Sequence, residues 1–397
     1  MPMGKGFTMS SDLDLGTTLL EGYSRHTRRQ SPSASSPRSK RRRLGPLPRL
    51  KIVAITNDTI ATFASLAYSV KSLPNSRVAA GLIVGTGCNA TVPMKLSELG
   101  EEKVARIRKT APTAKETVVN TEMTIAGGCG PLEAVTTAWD RELDAACARP
   151  GFQPLEYMTG GRYIGELIRI IFCDYMTRVH KPPIAQALLP ATVVHSYSFT
   201  TTFVSAVVAR SRSATELAGE LKRRIPPPES SNWAWSLHSA DALRQIAHLV
   251  QLRSAGLIAA STVGLLHTVG EISLQEPKES EPADVMMGDG TQLDSPKAVL
   301  KGKAKLMPDR NSRDGLSPAP GATSWKSGPE ELVIAYTGGI IQHYPNFKEQ
   351  CQRFIDRLVM RAGPQDGGKS VFLREARDGG IIGAGVLAGM ESIRQNG

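Results

Sequence analysis

No apolar run in this 397-residue sequence approaches the roughly 18 positions needed to cross a bilayer. The opening stretch, MPMGKGFTMSSDLDLG, lacks the apolar core of a secretory signal. The five cysteines, Cys88, Cys129, Cys147, Cys173 and Cys351, form no CxxC pair. That argues against a zinc ribbon and a disulfide framework and fits a reducing compartment. Together these absences read as a soluble intracellular chain with no membrane partner. Acidic residues are missing from residues 25–51, where ten Lys or Arg stand. Ten of the eleven excess positive charges therefore belong to one segment, and the rest is nearly neutral. The length suffices for two domains, each with its own core.

Residues 24–48 are rich in Ser, Pro and Arg and lack apolar periodicity, so they read as a disordered insert. Residues 276–328 read the same way, as a long polar loop, and PPPESS at 226–231 is a short break. Between these breaks strands and helices alternate. KIVAI (51–55) reads as a strand, TIATFASLAYSV as a helix, and RVAAGLIVG (77–85) as a strand ending in glycine. Helices follow over 139–175, 236–268 and 347–361, then KSVFLREA (369–376) as a strand and GAGVLAGMESI as a closing helix. This is the α/β pattern of sheets covered by helices.

Two phosphate-loop spellings are decoys. GPQDGGKS (363–370) has the letters of a Walker loop, which needs a strand before it and a helix after it. Here a helical run precedes and a strand follows, so it reads as an αβ connection. DLDLGTT (12–18) resembles an LDLGGT hairpin but has one glycine, and Leu15, Leu19, Leu20 and Tyr23 carry helical spacing. It reads as a helix opening.

Asn57-Asp58-Thr59 sits at the hinge between strand and helix. Asp58 there either caps the helix or acts as a general base at a strand end. In GTGCN (85–89) the glycines permit close backbone approach to a phosphate or sugar, and Asn89 offers both donor and acceptor. NTE (120–122) and PGFQPLE (150–156) each set a glutamate beside a turn; alone, each reads as a solvated charge.

In this order and spacing the pieces resemble the hexokinase family of ATP-dependent sugar kinases. MGKGF (3–7) resembles the family's TKGF, AITNDT (54–59) its INDT block, LIVGTGCNA (82–90) its GTGxN loop and VVNTE (118–122) its NxEWG strand. Residues 139–172 resemble the long block running through NPGxQxFEK to GELxR, and Arg253-Ser254-Ala255 falls where the family has RAA. QHYPNFKEQCQRFI (342–355) resembles the YPxFxxR helix, and ARDGGIIGAGVLA (376–388) the adenosine-side DGSGxGAA segment. The resemblance implies an actin-like, ribonuclease H-like two-domain α/β fold whose N-terminal small domain is incomplete. Residues 1–58 would be the remnant of that domain, 59–387 the large domain, and 388–397 a helix returning to the small domain.

It further implies that Asp58 takes the proton from the sugar 6-hydroxyl as that oxygen attacks the γ-phosphate. Lys5, Asn57, Asn89, Glu122 and Glu156 would hold the remaining hydroxyls. Gly85, Thr86, Gly87, Gly338 and Gly339 would line the phosphates, and Asp378, Gly379, Gly380 and Gly383 would approach the adenosine. An active member uses ATP with Mg²⁺.

Departures from the pattern set a further expectation. The phosphate-holding LDLGGTNFRV hairpin and the Ser-bearing sugar segment are not in the sequence, Gly4 replaces Thr, and Met123 replaces Trp. DGS has become Thr337-Gly338-Gly339, and DGSG has become Asp378-Gly379-Gly380-Ile381. Losing one phosphate-positioning element typically costs ~10³–10⁵ in rate. The profile resembles divergent hexokinase-like proteins of filamentous fungi, regulators of the response to carbon supply that bind hexose and turn over poorly. The alternatives are an active glycolytic hexokinase whose hairpin is encoded upstream of Met1, and a scaffold that keeps only the fold.

Arg28-Arg29, ten residues, then Lys40-Arg41-Arg42-Arg43 has the spacing of a bipartite import signal read by a nuclear import carrier. A solvated basic loop is the alternative. No aromatic residue interleaves the segment, so sequence-specific nucleic-acid binding is not expected. The location implied is nucleus or cytoplasm.

Overall fold

The computed structural model describes residues 14–28, 48–70, 75–125, 129–274 and 330–396. Its centre is one mixed sheet. SRVAAGLIV forms β1 (Ser76–Val84), and CNATVPMK forms β2 (Cys88–Lys95) after a three-residue turn. ETVVN forms β3 (Glu116–Asn120), ELVIAYT β4 (Glu331–Thr337) and SVFLRE β5 (Ser370–Glu375). The order is β3-β2-β1-β4-β5, with β1, β4 and β5 parallel and β2 antiparallel to both its neighbours. β4 shows why: five consecutive apolar or aromatic positions, Leu332 to Tyr336, are buried, as a parallel strand covered on both faces requires.

The strand period assigns those positions to two layers. Leu332, Ile334 and Tyr336 join the main core with Leu167 and Ile168 of α6 (Gly161–Asp174) and Ile258 and Val263 of α8 (Leu237–Thr268). Val333 and Ala335 face the opposite layer with Leu66 and Val70 of α2 (Asp58–Val70). The other α-helices of five or more described residues are α1 (Leu15–Arg28), α3 (Glu101–Thr110), α4 (Ala138–Ala145), α5 (Pro154–Thr159) and α7 (Ala214–Arg224). Then come α9 (Gly339–His343), α10 (Phe347–Arg361) and α11 (Gly379–Asn396). Helices on both faces of this five-stranded sheet give the actin-like, ribonuclease H-like unit that the resemblance implied. Arg253 ties α8 to α4 with two 2.7 Å bonds to the buried Asp140 carboxylate. Burial alone would raise the pKa of Asp140, but the bonds from Arg253 and Thr137 outweigh it and hold the carboxyl below its usual range.

Several expectations need correction. KIVAI is not a strand: residues 51–57 join no ladder, and Ile55 is 56% exposed. A β-branched run becomes a strand only where a neighbour accepts its hydrogen bonds, and none of the described strands adjoins it. ELVIAYT was a strand that the pattern of breaks did not single out. The 32-residue α8 is also long and apolar enough to cross a membrane, with a mean hydropathy of 1.5 in one window. Half of that window is buried in the protein, where Leu243, Val250, Ile258 and Leu266 complete the core. A continuous α11 runs through the boundary expected at 387/388.

The GPQDGGKS segment connects α10 to β5, turning at Gly363 (φ +89°) and Gly367 (φ +72°). At this amino end of the parallel strands Arg77 binds Glu271 and Glu330, which flank the polar segment, and Lys369 Nζ donates to the Glu271 carbonyl at 2.9 Å. Gln365 exchanges bonds of 2.8 and 3.1 Å with the backbone of Ser273.

Candidate active site

The opposite, carboxyl end of β1, β4 and β5 releases the chain into Gly85–Gly87, Gly338–Gly339 and Asp378–Gly380. Open α/β sheets hold their ligands at this end. β2 begins at the same end, and its alternation organises the site. Cys88, Ala90 and Val92 enter the core, which leaves Asn89 and Thr91 on the opposite face.

Each candidate is tied to the first four residues of β2. The Cys88 N–H donates to Oε2 of Glu156 at 3.1 Å, and Glu156 is buried in α5. Asn89 Oδ1 accepts the Ala90 N–H at 2.8 Å, so its Nδ2 donates to Asn120 Oδ1 at 2.7 Å. Asn120 Nδ2 in turn donates to Oε1 of Glu122 at 2.8 Å. Glu122 holds φ +47°, the left-handed turn that brings its carboxylate back over β3.

Thr91 reaches Thr59 at 2.8 Å, hydroxyl to hydroxyl, and thereby anchors Asn57 and Asp58 at the start of α2. The two readings of Asp58 can now be weighed. The Thr59 N–H is shared between Asn57 Oδ1 at 2.9 Å and Asp58 Oδ1 at 3.0 Å. Asn57 thus supplies a cap, and the Asp58 carboxylate remains exposed at the positive end of the helix.

The structure therefore brings together Asn57, Asp58, Asn89, Glu122 and Glu156. Lys5 lies outside the described residues, as do Arg29, Lys40, Arg41, Arg42 and Arg43, while Arg28 closes α1.

On the other side of the strand ends, the carbonyls of Gly85 and Thr86 accept the first N–H groups of α6, from Gly161 at 2.8 Å and Arg162 at 3.1 Å. Gly338 has φ +122°, and a Cβ there would stand 2.4 Å from the Val84 carbonyl oxygen. Only glycine closes that approach. These loops border a cleft of about 440 Å³ whose walls include Arg162, Thr202, Ser205 and His343. A guanidinium among hydroxyls suits an oxyanion such as phosphate.

Gly379 and Gly383 are spent differently. A Cβ on Gly383 would lie 1.7 Å from the Ala61 carbonyl oxygen, and one on Gly379 3.3 Å from Ser65 Oγ, so both let α11 lie against α2. Asp378 and Gly380 are exposed beside them.

Reading the sequence passed over Arg162, Thr202, Ser205, Asn120 and Gln153. Gln153 is buried one turn before Glu156, and its Oε1 has no hydrogen-bond partner among the described residues. The signal available was modest: GGRY just after the glutamate, and three threonines in an apolar stretch at 200–202.

The hexokinase family profile matches residues 79–390, which include Asn89, Glu122 and Glu156 but not Asn57 and Asp58. A hexokinase-2 of Solanum tuberosum is 22% identical over 344 residues, covering 87% of this chain and 54% of that protein. Hexokinase-1 of Mus musculus is 28% identical over 218 residues, or 54% of this chain and 20% of that protein. Among solved structures, a hexokinase from Schistosoma mansoni complexed with glucose superposes with a TM-score of 0.55 at 20% identity. The superposition covers 84% of this chain and 57% of that one. The chain thus spans about half the length, or less, of the curated relatives named here.

Proposed function

This chain belongs to the hexokinase family, and from that premise we propose that it binds a glucose-like hexose and phosphorylates it slowly or not at all. The observation that carries the reading is the convergence of Asp58, Glu122 and Glu156 with Asn57 and Asn89 around the start of β2. A hexose leaves water without loss only if its many hydroxyls find charge-assisted or bidentate partners. Carboxylates accept from those hydroxyls, and the carboxamides donate to them. Lys5 would join this shell. Asp58, exposed at a helix start, would take the proton from the 6-hydroxyl.

Nucleotide would lie across the strand ends. Arg162 with the hydroxyls of Thr202 and Ser205 fits a polyphosphate, and Gly85, Thr86, Gly87, Gly338 and Gly339 leave room for it. Among the described residues no group of three His, Cys, Asp or Glu could hold a metal ion, so Mg²⁺ would arrive with ATP. Slow transfer is inferred from the replaced residues: Thr337-Gly338-Gly339 stand where the family supplies DGS, and Ile381 stands where it supplies a glycine. Ile381, 80% exposed, adds a bulky apolar side chain where the adenosine would approach.

Purified protein titrated with glucose should release heat. The same preparation with glucose and Mg-ATP should form glucose 6-phosphate far below an ordinary kinase rate of ~10 s⁻¹. Silence in the calorimeter would leave the scaffold reading. Turnover at the ordinary rate would favour the second reading, part of an active ATP:hexose 6-phosphotransferase of glycolysis, which the 54% coverage of the potato relative supports. We further propose that residues 28–43 direct nuclear import, as suits a regulator of carbon response. A fluorescent fusion with Arg41, Arg42 and Arg43 changed to Ala should then stay out of nuclei.

A further inference from the structure

We infer that Thr91 is a positioning residue of the hexose site, acting through Thr59 to fix which face of the Asn57 amide meets the ligand. The inference rests on the hexose-binding reading. The Thr59 N–H lies 2.9 Å from one terminal atom of the Asn57 amide. A backbone N–H only donates, so that atom is the oxygen and the amide cannot be turned over without burying two donors against each other. The Thr59 hydroxyl donates to the same oxygen. Its one proton is then used, so it can only accept from the Thr91 hydroxyl, 2.8 Å away.

The proton order is thereby set along the whole path: Thr91 to Thr59 to Asn57. Both threonines are fully buried, so no water competes for these bonds.

Two features make the contact possible. Thr91 lies two residues after Asn89 on the same face of β2, the face that α2 covers. Gly81 of β1 lets the first turn of α2 come close, since a Cβ there would sit 2.6 Å from the Thr59 carbonyl oxygen. With its oxygen doubly occupied, Asn57 can offer a ligand only Nδ2. Among the described residues no acceptor is bonded to that nitrogen. Asn57 is therefore a dedicated donor in a site whose carboxylates are dedicated acceptors, and it would serve a hydroxyl oxygen of the hexose.

The test uses the full chain. Thr91→Val keeps shape and burial but removes the hydroxyl, and Thr91→Ser restores it. The Asn57 side-chain amide pair, assigned by its loss in Asn57→Ala, is followed in ¹⁵N-correlated spectra, and glucose affinity is measured by calorimetry. Thr91→Val should shift and broaden the Asn57 pair and weaken glucose about 3- to 10-fold, the range of one net hydrogen bond, with Thr91→Ser near wild type.

In the Asn57→Ala background Thr91→Val should weaken glucose no further, because Thr91 acts only through Asn57. Unmoved Asn57 resonances in Thr91→Val, or strictly additive losses in the double variant, overturn the relay. Should valine not be tolerated, Thr91→Ala makes the same deletion. If wild type releases no heat with glucose, the hexose reading fails, and the amide spectra still decide the relay.

Discussion

The two ends of the central sheet use their ionisable groups in opposite ways. At the amino end of the parallel strands Arg77, Lys369, Glu271 and Glu330 satisfy one another, cation against carboxylate. At the carboxyl end the donors seen on the three site carboxylates are amides: Thr59 N–H on Asp58, Asn120 and Asn89 on Glu122 and Cys88 N–H on Glu156. Asp58 and Glu122 enter no ion pair among the described residues. A carboxylate neutralised by a guanidinium has little left for a ligand. One held by amide N–H groups is oriented without being paired to a cation, and an amide leaves more of it for a ligand than a bidentate guanidinium does. The first arrangement fastens the fold; the second is what a polyhydroxyl ligand needs.

The sharpest break of that contrast is Glu156→Ala against Glu330→Ala. Removing the buried acceptor should weaken glucose beyond calorimetric detection, roughly 100-fold or more, since a charged hydrogen bond and its geometry go together. Loss of the bond between the Cys88 N–H and Glu156 should also cost about 1–3 kcal/mol in urea unfolding. Glu330→Ala should leave glucose binding unchanged. Equal losses in the two variants would erase the distinction between the ends.

Gly81→Ala comes next, because it strikes the approach of α2 to β1. A new Cβ 2.6 Å from a backbone oxygen must displace the helix. Overpacking of this kind costs about 1–3 kcal/mol, and it should carry Asn57 and Asp58 out of register with Asn89. The expected outcome is a lower melting temperature together with weaker glucose binding, whereas Gly264→Ala, inside α8 with open space around it, should raise the melting temperature slightly and leave binding unchanged.

Arg77→Ala probes the amino end and should leave the site alone. Glu271 is subject first to burial, which raises its pKa, but the bonds from Arg77 outweigh this and hold it below the usual 4.5. A carboxyl depressed on folding stabilises at pH above its unfolded value and loses that contribution as pH falls through the folded one. Wild type should therefore lose stability on acidification below about 4.5, and Arg77→Ala should lose less over the same window. The side chain of Arg77 is 40% exposed, so the difference at neutral pH should stay near 1 kcal/mol or less. Urea unfolding across pH 3–7 reads it, with glucose affinity as the control.

How much of this was legible in the sequence depended on distance along the chain. The β1 strand, α2 and α10 were readable because their apolar period is local. KIVAI misled for the converse reason: strand propensity is local, but pairing is not. Asn57, Asp58, Asn89, Glu122 and Glu156 were found through ordered family spellings, not from their own chemistry. Arg162, Thr202 and Ser205 share a cleft although some 40 residues separate the first from the others. The Thr59–Thr91 contact spans 32 residues and joins two side chains that carry no signal alone. Hydroxyl pairs of this kind emerge only when a helix has been laid on a sheet.

The smallest effect expected concerns the polar segment between Leu274 and Glu330. Its feet stand at the amino end, where Arg77 binds both Glu271 and Glu330. One guanidinium spans little more than a pair of carboxylates, so the two feet lie close enough for a short linker to join them. Lengthening a surface loop costs only about 0.6 kcal/mol for each doubling, and shortening one returns the same small amount. Replacing residues 277–328 with a Gly/Ser linker of roughly ten residues should therefore shift stability by no more than about 1–2 kcal/mol, upward, and leave glucose affinity within error. A large loss of affinity would mean that the segment reaches the far end of the sheet. The division between a fastening end and a binding end would then have to be redrawn.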